Sequence, residues 1–578
     1  MNPKEWTPID LDVPGFGTLA GLCFDNNVCQ YMGVPYATVP GRFRRPQPVS
    51  KPWPSGKWDG TKLGPERPWV DNPKTSSSDC LSLNISVPSK PPVNAGEGHY
   101  PVMIFMHGGA FVYAAGGAAI YDGRALADIS QQLNEPTIII SVNFRLGVFG
   151  FLASKEIQEY NLEFGESGVG NYGLWDQVEA LRWVQKNIRA FGGDPDRVTL
   201  FGQSAGGGKY NLNMSYHHDC VKLSREKLII IVSANVHLLR NEPLFSSTII
   251  QSGLLPLCGV MTVEQYQVIY DKMLAELDIS TELPPRERLQ RLIDMDEGKV
   301  TAAMVPVCVI PVITFSPCDD NVLIRQPMPK YSDYSSFKAP SWCQRIIIGD
   351  VKNECVIWNK SFRSLNSKEF TDRVYSFLGS KEKADKLLSL YQVNPSADGD
   401  DNFWKMEEFT THGLYSAVNW SLIRAYPTVY AYHFDVPSPF DNDWSGLAHH
   451  SLDNVYIWSL LSQHLPASHR QVSAQMSKMW ITFAGGNDPW ERFDKSGKIM
   501  VFQPGEGVLK TIEEDSARGY KKWEEIERIG LLNDFHRLSD ELCMRREELT
   551  NATVAPRALQ VDSMEAYGIK PKPRAADI

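Results

Sequence analysis

Apolar residues fall along this chain in two alternating patterns. Short β-branched and aliphatic runs at 102–106, 137–142, 198–201, 248–251, 346–348 and 429–434 read as strands buried on both faces. Between them lie stretches with helical spacing. From 171 to 188 the residues Leu174, Val178, Leu181, Val184 and Ile188 recur every three or four positions, which marks one face of a helix. Near the end, Trp523, Ile526, Ile529, Leu532, Phe535, Leu538 and Leu542 predict one long amphipathic helix. The N-terminal segment differs. It reads as short antiparallel strands at 18–22, a 23–31 hairpin turning on Asp25-Asn26-Asn27, and 33–37. Strands alternating with helices predict a largely parallel α/β sheet, preceded here by a small antiparallel one.

Composition narrows the class. With 58 Lys+Arg against 68 Asp+Glu the net charge is −10, and no basic tract offers a nucleic-acid footprint. The longest aliphatic run, 228–232, is far short of the ~18–20 residues that span a bilayer. No apolar segment opens the N-terminus, so the expectation is a cytoplasmic chain. The 10 cysteines are too scattered for a disulfide scaffold and predict reduced thiols. Sequons at Asn84, Asn213, Asn359, Asn419 and Asn551 carry little weight without secretion.

Candidate chemistry begins at 191–206, where a short apolar strand runs into Gly202-Gln203-Ser204-Ala205-Gly206. This is a G-x-S-x-G elbow, in which small flanking residues permit a sharp strand-to-helix turn and leave the serine hydroxyl exposed. Upstream, His107-Gly108-Gly109-Ala110-Phe111 follows the 102–106 strand directly, and its small residues suit backbone N–H donors that must approach an oxyanion. A serine nucleophile also needs a histidine base and an orienting carboxylate, in the chain order serine, acid, histidine for such an elbow.

The stretch 191–206 resembles the active-serine signature of the type-B carboxylesterase/cholinesterase family of α/β-hydrolases. Further segments are similar to that family: Gly33-Val-Pro-Tyr-Ala, Arg42-Phe-Arg, Asp79-Cys-Leu-Ser-Leu-Asn, His107-Gly-Gly-Ala-Phe, Asn143-Phe-Arg-Leu-Gly, Gly170-Asn-Tyr-Gly-Leu-Trp-Asp-Gln, Gln251-Ser-Gly and Phe483-Ala-Gly-Gly-Asn-Asp-Pro. The resemblance implies an α/β-hydrolase fold: a large, mostly parallel sheet with helices on both faces and a small N-terminal antiparallel sheet. It implies Ser204 as nucleophile and the amides of Gly109, Ala110 and Ala205 as oxyanion donors. For the base, the segment 446–456 resembles the family's H-G-x-[DE]-x-x-[YF] loop, and counting back three from Asp453 selects His450, with His449 its rival. For the acid, 346–355 resembles G-x-x-x-[DN]-E-G and selects Glu354, with Asp350 its rival just beyond the strand. No metal or organic cofactor is implied.

Several residues depart from the family pattern. Ser451 and Cys355 stand where the family has glycines after the base and the acid. Gln203 stands where cholinesterases carry a glutamate, removing a negative charge beside the nucleophile. Cys80 lacks the cysteine some two dozen residues upstream with which many secreted members pair it. Residues 208–235 resemble nothing in the family. A translated, unspliced intron is the favoured reading, because Gly208-Lys209-Tyr210 can be encoded with an intron donor sequence; a lid-like insertion is the alternative.

The expectation is therefore one catalytic domain over 1–550, interrupted at 208–235, with a loose polar tail at 551–578. The implied activity is hydrolysis of a carboxyl ester or lactone of a small organic molecule, a xenobiotic or specialised metabolite, through an acyl-enzyme. A binding or adhesion protein without catalysis, and an acyltransferase, are the alternatives. No nucleic-acid partner and no membrane span are expected, and the sequence leaves the oligomeric state open.

Overall fold

The structure is a computed structural model, and it describes residues 6–65, 77–89, 99–208, 242–253, 260–307, 315–324, 341–343, 345–358, 366–397, 399–544 and 563–569. The 209–235 part of the anomalous segment lies outside these.

Twelve strands in chain order form the path of a 13-stranded sheet: β1 Trp6–Val13, β2 Gly17–Phe24, β3 Val28–Pro35, β4 Ser82–Pro88, β5 Tyr100–Met106, β6 Ile138–Val142, β7 Gly193–Gln203, β8 Ser247–Gln251, β9 Arg345–Val351, β10 Tyr430–Phe434, β11 Lys498–Gln503 and β12 Glu506–Thr511. Their spatial order is β1-β2-β3-β4-β6-β5-β7-β8-β9-β10-β11-β12, with Lys57–Asp59 paired to β2. From β6 to β11 every neighbouring pair is parallel. The pairs β1–β2, β2–β3, β3–β4, β4–β6 and the terminal β11–β12 hairpin are antiparallel.

The apolar runs have this outcome because both faces of the parallel strands are covered. Along β5, Val102, Ile104 and Met106 enter one apolar cluster while Met103 and Phe105 enter the other, as the two-residue period of a strand requires. One face packs against Tyr172–Asn187, and the other against Leu452–Trp458 and Ala467–Ala484, where the Phe105 and Trp458 rings meet edge to face at 5.0 Å.

The segments quoted for their resemblance build a buried frame beside β5. Arg145 reaches Asp176 through Nε and Nη2 at 2.8 and 2.7 Å, and its Nη1 donates to the Arg44 carbonyl at 2.8 Å. The Tyr36 hydroxyl donates to the Asn143 carbonyl at 2.7 Å, and Asn143 Oδ1 accepts the Gly116 amide at 2.7 Å.

Three expectations are corrected. The long C-terminal helix is two, Tyr520–Arg528 and Leu532–Met544, because Gly530 takes a φ of 73° between them. Within the tail expected to be loose, residues 563–569 are seated on the body: Tyr567 is buried against Phe440, and the Ala566 carbonyl accepts from Asn442 Nδ2 at 3.0 Å. Finally, the thiols are not all free. Cys23 and Cys29 face each other across β2 and β3 and are disulfide-bonded, whereas Cys80, Cys318, Cys343, Cys355 and Cys543 are buried outside any described disulfide. Asn84 and Asn419, two of the sequon asparagines, spend their side chains on internal hydrogen bonds.

Candidate active site

Register across the sheet gathers the chemistry at one edge. Met106 pairs with Gly202, Gln203 with Gln251, and Gln251 with Gly349, so β5, β7, β8 and β9 end in a row. The loops leaving these carboxyl ends therefore meet, which is where open α/β sheets place their sites.

Ser204 follows β7 with a φ of 53°, and its amide donates to the Gln251 carbonyl at 2.9 Å. That left-handed turn ends the strand and starts the short helix Ala205–Gly208. The turn sits so close to β5 that a Cβ on Gly206 would collide with the Met106 carbonyl oxygen. The strain is held by close packing on both sides of a residue that L-amino acids rarely place at positive φ. The loop after β5 lies against this elbow: a Cβ on Gly108 would come 3.2 Å from Ser204 Cβ. Gly109, Ala110 and Phe111 all have positive φ, and the Gly109 carbonyl accepts the amides of Val112 and Tyr113. The loop that carries Gly109 and Ala110 thus abuts, through Gly108, the elbow that carries Ser204 and Ala205. His107 is packed with its ring stacked on Phe144 at 4.4 Å, turned to a structural task.

Glu354 and His450 are brought together, with Nδ1 of the ring 2.5 Å from Oε2 of the carboxylate and both side chains buried. The other carboxylate oxygen, Oε1, accepts the Val351 amide at 2.9 Å. Burial drives the Glu354 carboxyl well above its ordinary range and the nearby charge of Asp350 adds to this; the Val351 amide, the Ser252 hydroxyl and Arg518 act the other way.

Backbone bonds hold the acid and base loops to each other. The Asn353 amide donates to the Ala448 carbonyl at 2.9 Å, and Asn353 bridges to His449. Below the base, Asp453 Oδ2 accepts from the Tyr432 hydroxyl at 2.9 Å and from Gln251 Nε2 at 3.2 Å. Burial, aided by the charge of Glu354, pushes Asp453 up to about 6. Gln251 Nε2 also reaches Asn454 Oδ1 at 3.0 Å, so one glutamine ties the end of β8 to the helix behind the base.

The rivals are placed elsewhere. His449 turns its Nδ1 to the His450 carbonyl at 2.9 Å, and burial lowers it to about 4, so it stays neutral. Asp350 contacts His433 Nδ1 at 2.6 Å, Arg518 Nη2 at 2.5 Å and Asn419 Nδ2 at 3.0 Å. Burial acts to raise Asp350, but His433 and Arg518 outweigh it and hold the carboxyl well below the usual range.

The two departures beside the acid and base have local explanations. Ser451 occupies a left-handed turn (φ 69°) that glycine adopts without strain. Cys355 is buried, its amide donates to Thr411 Oγ1 at 3.0 Å, and its Sγ lies 3.6 Å from Cys543 Sγ. Sequence reasoning missed Gln251, Tyr432 and the Thr411–Glu407 pair behind the acid. Only Gln251 carried a signal, its place in Gln251-Ser-Gly.

Comparisons with known proteins bear on the chain as a whole. The model of the carboxylesterase family matches residues 12–528. A para-nitrobenzyl esterase of Bacillus subtilis (strain 168) is 27% identical over 502 residues, covering 82% of this chain and 89% of that protein. A carboxylic ester hydrolase of Gibberella moniliformis is 33% identical over 308 residues, 50% of this chain and 51% of its own. Among solved structures, a PNB esterase matches with a TM-score of 0.66 and 25% identity over 89% of this chain and 100% of its own.

Proposed function

The chain belongs to the carboxylesterase family and is a serine carboxylic-ester hydrolase, and from that premise we propose which residues perform the reaction and on what. Ser204 Oγ attacks the ester carbonyl while His450 Nε2 takes its proton. Glu354, at His450 Nδ1, fixes the ring's tautomer and stabilises its charge as it forms. The amides of Gly109, Ala110 and Ala205 donate to the oxyanion of the tetrahedral intermediate, where preorganised N–H groups cost no rearrangement during the reaction. His450 then returns the proton to the departing alcohol. Water repeats the sequence on the acyl-enzyme and frees Ser204.

The observation that carries this reading is the 2.5 Å contact between His450 Nδ1 and Glu354 Oε2 at the carboxyl edge of the sheet, beside the strained Ser204. The substrate class is a carboxyl ester or lactone of a small organic molecule, of the xenobiotic or specialised-metabolite kind. Hydrolysis of p-nitrophenyl esters of increasing acyl length, with Ser204→Ala as the control, tests both parts. An organophosphonate that labels the wild-type chain and not Ser204→Ala fixes the nucleophile. Labelling of another residue refutes the assignment.

A cytoplasmic location is proposed as well, supported by the buried thiols of Cys318 and Cys343. The Cys23–Cys29 disulfide counts against it, and subcellular fractionation of cells expressing the tagged chain checks it.

A further inference from the structure

Gln203 precedes the nucleophile and is fully buried. Its amide Nε2 lies 3.0 Å from His450 Nε2, while its Oε1 is buried without a hydrogen-bond partner. That oxygen faces the oxyanion loop so closely that a Cβ on Gly108 would come within 2.6 Å of it. With Nδ1–H given to Glu354, a neutral His450 ring has one lone pair left, on Nε2. The Gln203 amide N–H donates to it. This is the lone pair that must take the proton of Ser204.

Once His450 has taken the proton, Nε2 becomes a donor, and an amide N–H facing it becomes repulsive. The terminal amide torsion of glutamine is broad and roughly two-fold, so half a turn brings the unpartnered Oε1 to the imidazolium. Resting on the roles given above to Ser204 and His450, we propose that Gln203 is a positioning residue: its amide caps the base in the resting enzyme and turns over as the base is protonated, offering Oε1 to the imidazolium. The proton itself passes from Ser204 Oγ to His450 Nε2 and on to the leaving alcohol; Gln203 supplies and removes none. A glutamate here could accept from the imidazolium but could never cap the neutral ring.

Other groups set the background against which Gln203 acts. Glu354 faces Nδ1, and Asp453, His449 and the Tyr415 ring lie around His450. Asp350, Glu407 and Arg518 act on Glu354 from behind. All stay in place when residue 203 alone is changed.

The test is the pH profile of kcat/KM for a p-nitrophenyl ester in the wild type, Gln203→Glu and Gln203→Met. Gln203→Glu favours the protonated ring, so its acidic limb moves up by about one pH unit or more. Gln203→Met can neither cap nor accept; its plateau falls about tenfold or more, the worth of one hydrogen bond to a charged group. Both variants keeping the wild-type acidic limb, whatever their plateau, would mean a packing residue only and would overturn the proposal. Organophosphonate labelling of the wild type separates the two levels: an unlabelled Ser204 sinks the underlying reading, whereas a labelled Ser204 with unmoved profiles sinks the Gln203 proposal alone. If either variant misfolds, ring-¹⁵N spectra of the wild type, assigned with His450→Gln, decide instead. A neutral ring with unprotonated, hydrogen-bonded Nε2 near pH 8 is expected, and a proton on Nε2 there overturns it.

Discussion

His450 Nδ1 and Glu354 Oε2 meet at 2.5 Å although 96 residues separate them in the chain. The contact is possible because β9 delivers the acid and the loop after β10 delivers the base, and Asn353 and Ala448 tie the two loops together. Replacing the carboxylate by an amide keeps the shape but no longer dictates which ring nitrogen carries the proton. Glu354→Gln is therefore expected to lower kcat by about 10³–10⁴. Steady-state hydrolysis of a p-nitrophenyl ester measures it, and a loss under tenfold would remove Glu354 from the role.

Behind the acid, Glu407 Oε1 accepts from Thr411 at 2.8 Å, and Thr411 in turn accepts the Cys355 amide. Burial pushes the Glu407 carboxyl up to about 7. A carboxyl raised in the folded state binds protons more tightly there than in the unfolded chain. Its contribution to stability is thus greatest in acid and falls as pH rises from about 4.5, the unfolded value, to about 7. The raised value corresponds to about 3 kcal/mol of destabilisation in alkali. Glu407→Gln relieves it, so the variant gains on the wild type at pH 8 and loses that advantage below pH 4.5. Denaturant titrations at the two pH values give the comparison, and a pH-independent difference rejects the account.

How far the sequence reached follows from which signals are local. Residues 102–106 and 198–201 could be read because a strand covered on both faces is apolar at nearly every position, and Ser204 because its elbow needs small neighbours in adjacent positions. The break at Gly530 was hidden by apolar spacing that runs on through both helices. The network of Asp350, His433 and Arg518 was hidden for a different reason. Its members lie 83 and 168 residues apart, and each looks like an ordinary charged position until the sheet stacks them. Quoted motifs such as Asn143-Phe-Arg-Leu-Gly signalled likeness without physical cause; the cause is the internal ion pair they create.

That ion pair is a stability element. Arg145 and Asp176 are both buried, and Asp176 also accepts the Arg145 amide at 3.0 Å. Removing the guanidinium alone strands a carboxylate out of water. Arg145→Leu is expected to cost about 3–5 kcal/mol, while Arg145→Leu with Asp176→Leu recovers a large part of it. A double-mutant cycle by chemical denaturation tests this, and additivity of the two losses would show that the pair does not interact.

Ser451 offers the most local test of the base loop. It follows His450 with a φ of 69°, caps the helix Leu452–Trp458, and its buried Oγ has no hydrogen-bond partner. A left-handed conformation costs an L-residue about 1–2 kcal/mol, and an unpartnered buried hydroxyl costs about 1 kcal/mol or more. Glycine escapes both, against about 0.5–1 kcal/mol of extra unfolded-chain entropy. Ser451→Ala escapes only the hydroxyl and keeps the strained φ. Ser451→Gly should therefore melt above the wild type, and it should exceed Ser451→Ala by about 1 kcal/mol, the part that belongs to the backbone. Equal melting of the glycine and alanine variants would mean that residue 451 does not hold a positive φ in solution, and the turn that presents His450 to Glu354 would have to be drawn differently.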